Sequence, residues 1–133
     1  MRRRISNADL QKLTCFNRIY QVDCFQKEFS DAVNEIWKLK KPYERYQKKL
    51  LQDLSVLDDQ GEKAINLPQF ERLSQTKYRM YSIRHPETKK NVRVIYVIED
   101  GLVVLLTTFL EKNDSDYSNG IKRANKRYEA LIK

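Results

Sequence analysis

Tyr78-Arg79-Met80-Tyr81-Ser82-Ile83-Arg84-His85 and Val92-Arg93-Val94-Ile95-Tyr96-Val97-Ile98 flank Pro86-Glu87-Thr88-Lys89-Lys90-Asn91, and Asp100-Gly101 leads into Leu102-Val103-Val104-Leu105-Leu106-Thr107-Thr108-Phe109-Leu110. These runs are rich in β-branched and aromatic residues, and Asp-Gly is a favoured two-residue hairpin turn. Three consecutive antiparallel strands are predicted. Residues 102–106 are apolar on both faces, so the last strand is expected to lie centrally in its sheet.

Hairpin geometry then fixes which side chains meet. A six-residue loop at 86–91 places Arg84 opposite Arg93, and a two-residue turn at 100–101 places Arg93 opposite Thr108. Tyr81, Tyr96 and Leu105 line the other face with Ile83 and Val94, and Lys112 shares the facing of Thr108 if the strand continues. Directly opposed like charges are unfavourable by about 0.2–1 kcal/mol unless something anionic lies between them. A bound phosphate would serve; the alternative is that the arginines fan into water or pair with acidic helix residues.

Upstream, Ser6 with Asp9 reads as a capping box and Ile5 with Leu10 as a staple, predicting a short helix to about Leu13. Tyr20, Val22 and Cys24 alternate with Ile19, Gln21 and Asp23 as in a strand. Phe25, Phe29, Ala32, Val33, Ile36 and Leu39 then recur at helical spacing to about Lys40-Lys41. A second helix opens at Pro42 with the stripe Tyr43, Tyr46, Leu50, Leu54 and Leu57, and stops before Gly61. These two helices are expected to form a hairpin. Residues 62–76 are ambiguous, with Phe70 and Leu73 as anchors for a turn or short helix; 111–116 reads as a polar loop, and Ile121, Ala124, Tyr128 and Leu131 mark a terminal helix. The expected order is α-β-α-α-β-β-β-α, an α+β class.

Composition narrows the chemistry. The 133 residues carry 26 Lys+Arg against 18 Asp+Glu, a net charge of +8, enough chain for one core without disulfides. One histidine and two cysteines, Cys15 and Cys24, cannot furnish a three-histidine zinc site or a four-cysteine cluster, so no metal or cofactor is expected. The cysteines are expected to be reduced, as in a cytoplasmic protein. No apolar run reaches the roughly 18 residues of a membrane span, and no membrane association is expected. The basic balance suits a polyanionic partner. Arginine and lysine without a nucleophile cluster suit electrostatic stabilisation of a phosphoryl transition state, and RNA supplies its own nucleophile, the 2′-hydroxyl.

The carboxy-terminal half resembles the RelE/HigB superfamily of toxins from bacterial type II toxin–antitoxin systems, including phage-related members. The residues that carry the likeness are Tyr81-Ser82-Ile83-Arg84, Val92-Arg93-Val94-Ile95-Tyr96, Glu99-Asp100-Gly101, Val103-Val104-Leu105-Leu106-Thr107-Thr108-Phe109, Lys112, and Ile121-Lys122-Arg123-Ala124. It covers residues 18–133, most convincingly from 77 onward, and leaves 1–17 as an added amino-terminal helix.

The resemblance implies a RelE-like twisted antiparallel sheet, with the amino-terminal helix hairpin on one face, a basic groove on the other and a carboxy-terminal helix. It also implies a ribosome-dependent endoribonuclease, an mRNA interferase that inhibits translation without a metal and is held inactive by a cognate antitoxin. Arg84 and Arg93 match the arginines that bind the scissile phosphate, Lys112 a basic residue after the last strand, and Tyr117 a tyrosine near the start of the last helix. Ser82 stands where many relatives have glutamate, and Glu111 replaces one of two basic residues common there.

Each remaining candidate has two readings. His85 is either an RNA-contacting, catalytic residue or a capped or solvent-facing hairpin histidine, and Tyr117 is either catalytic or an aromatic anchor of the helix. Lys122, Arg123, Lys126 and Arg127 either touch RNA or antitoxin or form a solvated face. For the whole chain, the rival to the ribonuclease is a nonenzymatic RNA- or antitoxin-binding module of the same fold.

Overall fold

The computed structural model describes residues 10–36, 42–74, 76–84 and 91–132. Its elements are β1 (Leu10–Lys12), β2 (Ile19–Val22), α1 (Phe25–Ile36), α2 (Pro42–Gln60), a 3-10 turn (Gly61–Asn66), β3 (Phe70–Arg72), β4 (Tyr81–Arg84), β5 (Asn91–Glu99), β6 (Leu102–Glu111) and α3 (Asp114–Leu131). The class is α+β, with one six-stranded sheet in the order β1-β2-β6-β5-β4-β3. The sheet is mixed rather than wholly antiparallel, because β2 runs parallel to β6 with Ile19 opposite Val103 and Gln21 opposite Leu105.

Two elements differ from expectation at the sheet edges. Leu10–Lys12, expected to end a helix, instead form an antiparallel edge strand on β2, with Gln21 Nε2 donating to Gln11 Oε1 at 3.1 Å. The capping residues proposed for that helix at 6–9 lie outside the described residues. At the other edge, Phe70–Arg72 in the ambiguous stretch form β3 against β4. Three residues carry too little periodicity to announce a strand, and both segments become strands because a partner offers its free edge.

The central pairing follows the hairpin reading until a single irregularity. Arg84 is opposite Arg93 and Tyr81 opposite Tyr96, and Tyr96 is opposite Leu105. At the turn, Asp100 and Gly101 have φ of 53° and 80°, the positive pair that a type I′ hairpin requires. Between Ile95 and Tyr96 the register then slips by one residue: Ile95 pairs with Thr107, Val94 with Thr108 and Arg93 with Phe109. Leu106 is the extra residue of a β-bulge, which turns every later side chain of β6 over. The expected Arg93–Thr108 pair is therefore corrected to Arg93–Phe109, and Glu111 rather than Lys112 falls on the arginine face.

The buried core joins α1 (Phe25, Phe29, Val33), α2 (Leu50, Leu54, Leu57) and the sheet (Ile83, Val94, Tyr96, Leu105). α1 packs along β6 and against α2. Tyr81 stacks on Tyr96 at 5.3 Å and its hydroxyl donates to Glu62 Oε1 of the 3-10 turn at 2.8 Å. Burial pushes the Tyr96 hydroxyl well above the usual tyrosine range. Cys15 and Cys24 are both free thiols. Among the described residues no helix is long and apolar enough to cross a membrane.

α3 starts earlier than its apolar stripe suggested, and lies across the arginine face. Asn113 accepts from the Asp116 N–H at 3.1 Å while Asp116 accepts from the Asn113 N–H at 3.3 Å, a reciprocal capping box. Close packing, hydrogen bonds and an ion pair dock the helix. Gly120 lies against the Phe109 ring so closely that a Cβ there would stand 2.6 Å from Cζ. Tyr128 donates to Glu99 at 2.7 Å, and Arg127 makes a two-pronged pair with Glu28 of α1 at 2.6 and 2.9 Å. Arg127 also donates to the Leu106 carbonyl at 2.9 Å, giving a partner to a backbone oxygen at the bulge.

Two stability predictions follow from this docking. Gly120→Ala should destabilise by about 1–3 kcal/mol through overpacking against Phe109, less the helix-propensity gain of up to about 1 kcal/mol, as read by urea denaturation. Glu28→Ala should cost about 1–3 kcal/mol, because it removes the carboxylate partner of half-buried Arg127, and should speed amide exchange in α3.

Candidate phosphate-binding site

The arginine face gathers residues from four elements. Glu71 on β3 is opposite Ser82 on β4, Ser82 is opposite Ile95, and Arg84 is opposite Arg93. Because register partners share a face, Glu71, Ser82, Arg84, Arg93, Phe109 and Glu111 all project to the same side. Tyr117 arrives from the first turn of α3, where the Asn113–Asp116 box sets the helix start.

Arg93 is the centre of this cluster and is nearly buried, its side chain 11% exposed. Its Nη1 donates to Glu71 Oε1 at 2.7 Å and to Ser82 Oγ at 3.2 Å, and its Nε donates to Glu111 Oε1 at 2.5 Å. The Tyr117 ring lies over the guanidinium, 4.7 Å from Cζ to the ring centroid, a cation–π contact. Burial works against the charge, but the hydrogen bonds to Glu111 and Glu71 outweigh it and hold the guanidinium above its usual range. Burial also raises the Tyr117 hydroxyl, against the lowering effect of Arg93, so the phenol keeps its proton across neutral pH.

Arg84 is held differently. Its backbone N–H donates to the Gln69 carbonyl and its Nη2 to the Pro68 carbonyl, both at 2.9 Å. The Nη1 atom stands 4.0 Å from Glu71 Oε2, and Nε is buried with no hydrogen-bond partner. Behind the loop, buried Asp53 of α2 accepts from Gln69 Nε2 at 3.2 Å. Burial raises its carboxyl against the lowering effect of Lys49.

The structure sorts the sequence candidates into three groups. Arg84, Arg93 and Tyr117 come together. Lys112 is exposed one residue beyond β6, with its N–H on Asp116 at 2.9 Å. On α3, Lys122 and Lys126 are exposed, whereas Arg123 and Arg127 face inward: Arg123 donates to Thr107 at 2.8 Å beneath its contact with Phe109, and both arginines pair with Glu28. The even split of these four between solvent and sheet follows the helical period. His85 lies outside the described residues.

Glu71 was missed as a site residue because it lies in the stretch whose secondary structure was ambiguous. The opposed arginines were the signal, since they demanded an anion, and the chain supplies two from within. Counting Arg84, Arg93, Glu71 and Glu111 alone, the cluster is neutral, two cations against two carboxylates. No family model, no curated protein and no solved structure matches this chain.

Proposed function

We propose that this chain is a ribosome-dependent messenger RNA endonuclease, the toxin of a toxin–antitoxin pair, cutting by metal-independent attack of a 2′-hydroxyl on the adjacent phosphate. The observation that carries this reading is the placement of Arg84 directly opposite Arg93 on one sheet face, with the Tyr117 ring against Arg93. Arg84 is partly exposed and donates to a backbone carbonyl, so it meets the phosphate first. Arg93 stabilises the charge that develops, and Tyr117, which keeps its proton, supplies one to the departing 5′-oxygen. Lys122 and Lys126, exposed on α3, track the backbone on either side. The resemblance of residues 77–133 to RelE/HigB toxins supports the choice of messenger RNA and the expectation of an antitoxin partner.

A second reading is favoured by one specific observation. Arg93 is already satisfied by Glu71 and Glu111, which suits a degenerate toxin that keeps only its RNA- or antitoxin-binding surface. Such a module would bind without cutting.

Induction of the intact chain in a bacterial host, with mapping of messenger RNA ends, separates the two. The toxin reading expects growth arrest and new message ends; the binding module expects neither. Arg84→Ala should reduce cleavage by about 10- to 150-fold, the cost of one charge-assisted contact, while leaving the fold intact. A wild-type rate in that variant removes Arg84 from the site. RNA affinity should fall steeply with salt, and replacing Lys122 and Lys126 together by alanine should flatten that dependence by about one unit of logarithmic slope per lost contact. A slope unchanged by both substitutions excludes α3 from the RNA path.

A further inference from the structure

We propose that Glu71 is the proton acceptor for the attacking 2′-hydroxyl, a catalytic residue supplied by the edge strand β3; this rests on the ribonuclease reading above. Its two carboxylate oxygens are unequally used. Oε1 takes the hydrogen bonds from Arg93 Nη1 at 2.7 Å and from Ser82 Oγ at 3.2 Å. Oε2 stands 4.0 Å from Arg84 Nη1, beyond hydrogen-bond range. The oxygen with open lone pairs is therefore the one beside the partly exposed Arg84. A phosphate held on Arg84 brings the 2′-oxygen of the same linkage next to Oε2, since that oxygen is a neighbour of the phosphorus it attacks.

Several features suit a base rather than a mere counter-ion. The Glu71 side chain is 34% exposed, against 20% for Glu111, so substrate reaches it. Arg93 and Ser82 hold one oxygen and thereby orient the other, which is how a catalytic carboxylate is positioned. Its strand is fixed by the Phe70–Ile83 and Arg72–Tyr81 pairs on either side. Glu111, by contrast, accepts from Arg93 Nε at the far edge of the guanidinium, and serves to keep that cation charged.

The step balances without any further reagent. The 2′-hydroxyl proton passes to Glu71 Oε2 as the 2′-oxygen bonds to phosphorus, and the bond from phosphorus to the 5′-oxygen breaks. The 5′-oxygen takes the Tyr117 proton. Products are a 2′,3′-cyclic phosphate and a 5′-hydroxyl end, and the proton on Glu71 returns to Tyr117 through solvent.

The test is single-turnover cleavage of a defined message on purified ribosomes by the full chain, followed across pH beside a measurement of RNA affinity. Glu71→Gln keeps an acceptor for Arg93 and Ser82 but loses the basic oxygen, so it should cut about 10²- to 10⁴-fold more slowly with RNA affinity equal or tighter. The groups facing Glu71 are Arg84, Arg93 and Ser82, with Tyr117 and Glu111 across Arg93. Glu71→Asp keeps a basic carboxylate oxygen on the same strand, so it should retain a larger share of the cleavage rate than Glu71→Gln at equal RNA affinity. The Asp variant also tests the assignment if the Gln variant does not fold. A message with a 2′-deoxy nucleotide at the cut site should stay intact. If wild type cuts and Glu71→Gln cuts equally fast, or loses rate only in proportion to affinity, Glu71 is not the base. If wild type leaves the message uncut, the ribonuclease reading falls and takes this assignment with it.

Discussion

The extra residue in β6 at Leu106 determines which side chains share a face, and the site and the docking of α3 both depend on that choice. Without the bulge, alternation would present Thr108, Leu110 and Lys112 to Arg93. With it, Thr107, Phe109 and Glu111 turn to that side. Thr107 then meets Arg123 and Glu28, Phe109 meets Gly120, and Glu111 meets Arg93. The bulge breaks the ladder at one point, and the Arg127 donation to the Leu106 carbonyl compensates there. One irregularity thus joins three helix contacts to one ion pair.

Electrostatics explains why Arg93 is tolerated in a nearly buried place. An unpaired buried cation would be costly, and two carboxylates, a hydroxyl and an aromatic face surround this one. The arrangement is rigid because each partner comes from a different element: β3, β4, β6 and α3. Arg84, at the margin, has a carbonyl on one nitrogen and a buried Nε without a partner. Unmet capacity at the margin therefore includes Arg84 and the Glu71 oxygen beside it, and Arg93 serves as the fixed reference for both.

Local signals made the central strands legible. Asp100-Gly101 and the flanking β-rich runs defined two hairpins, and the Arg84–Arg93 and Tyr81–Tyr96 pairs came directly from counting residues outward from the loops. The helix stripes of α1 and α2 were legible for the same reason, since many residues agree on one period. What stayed hidden was non-local or too short. A bulge leaves no mark in an apolar run such as Val103 to Leu106, because every residue there is buried whichever way it faces. β1 and β3 have three residues each, and their pairing is set by strands far away. Asn113-Ser115-Asp116 carried a capping signal that the apolar stripe of the helix, which begins later, concealed. Glu71 could not be placed without β3, so the partner of the opposed arginines was expected to be a bound phosphate, water or an acidic helix residue rather than a carboxylate on a neighbouring strand.

The parallel pairing of β2 with β6 has a kinetic side. Ile19 must find Val103, and Glu28 must find Arg127 across 99 positions of sequence, whereas the β5–β6 hairpin closes through a two-residue turn. Closing a long loop costs more chain entropy than closing a short one, and non-local contacts reward the chain only after that cost is met. The hairpin holding Arg93 is therefore the natural first structure, with β2, α1 and α3 condensing onto it afterwards. The Glu28–Arg127 clasp belongs to that late stage, so α3 is fastened across the sheet only as the last long-range contacts form.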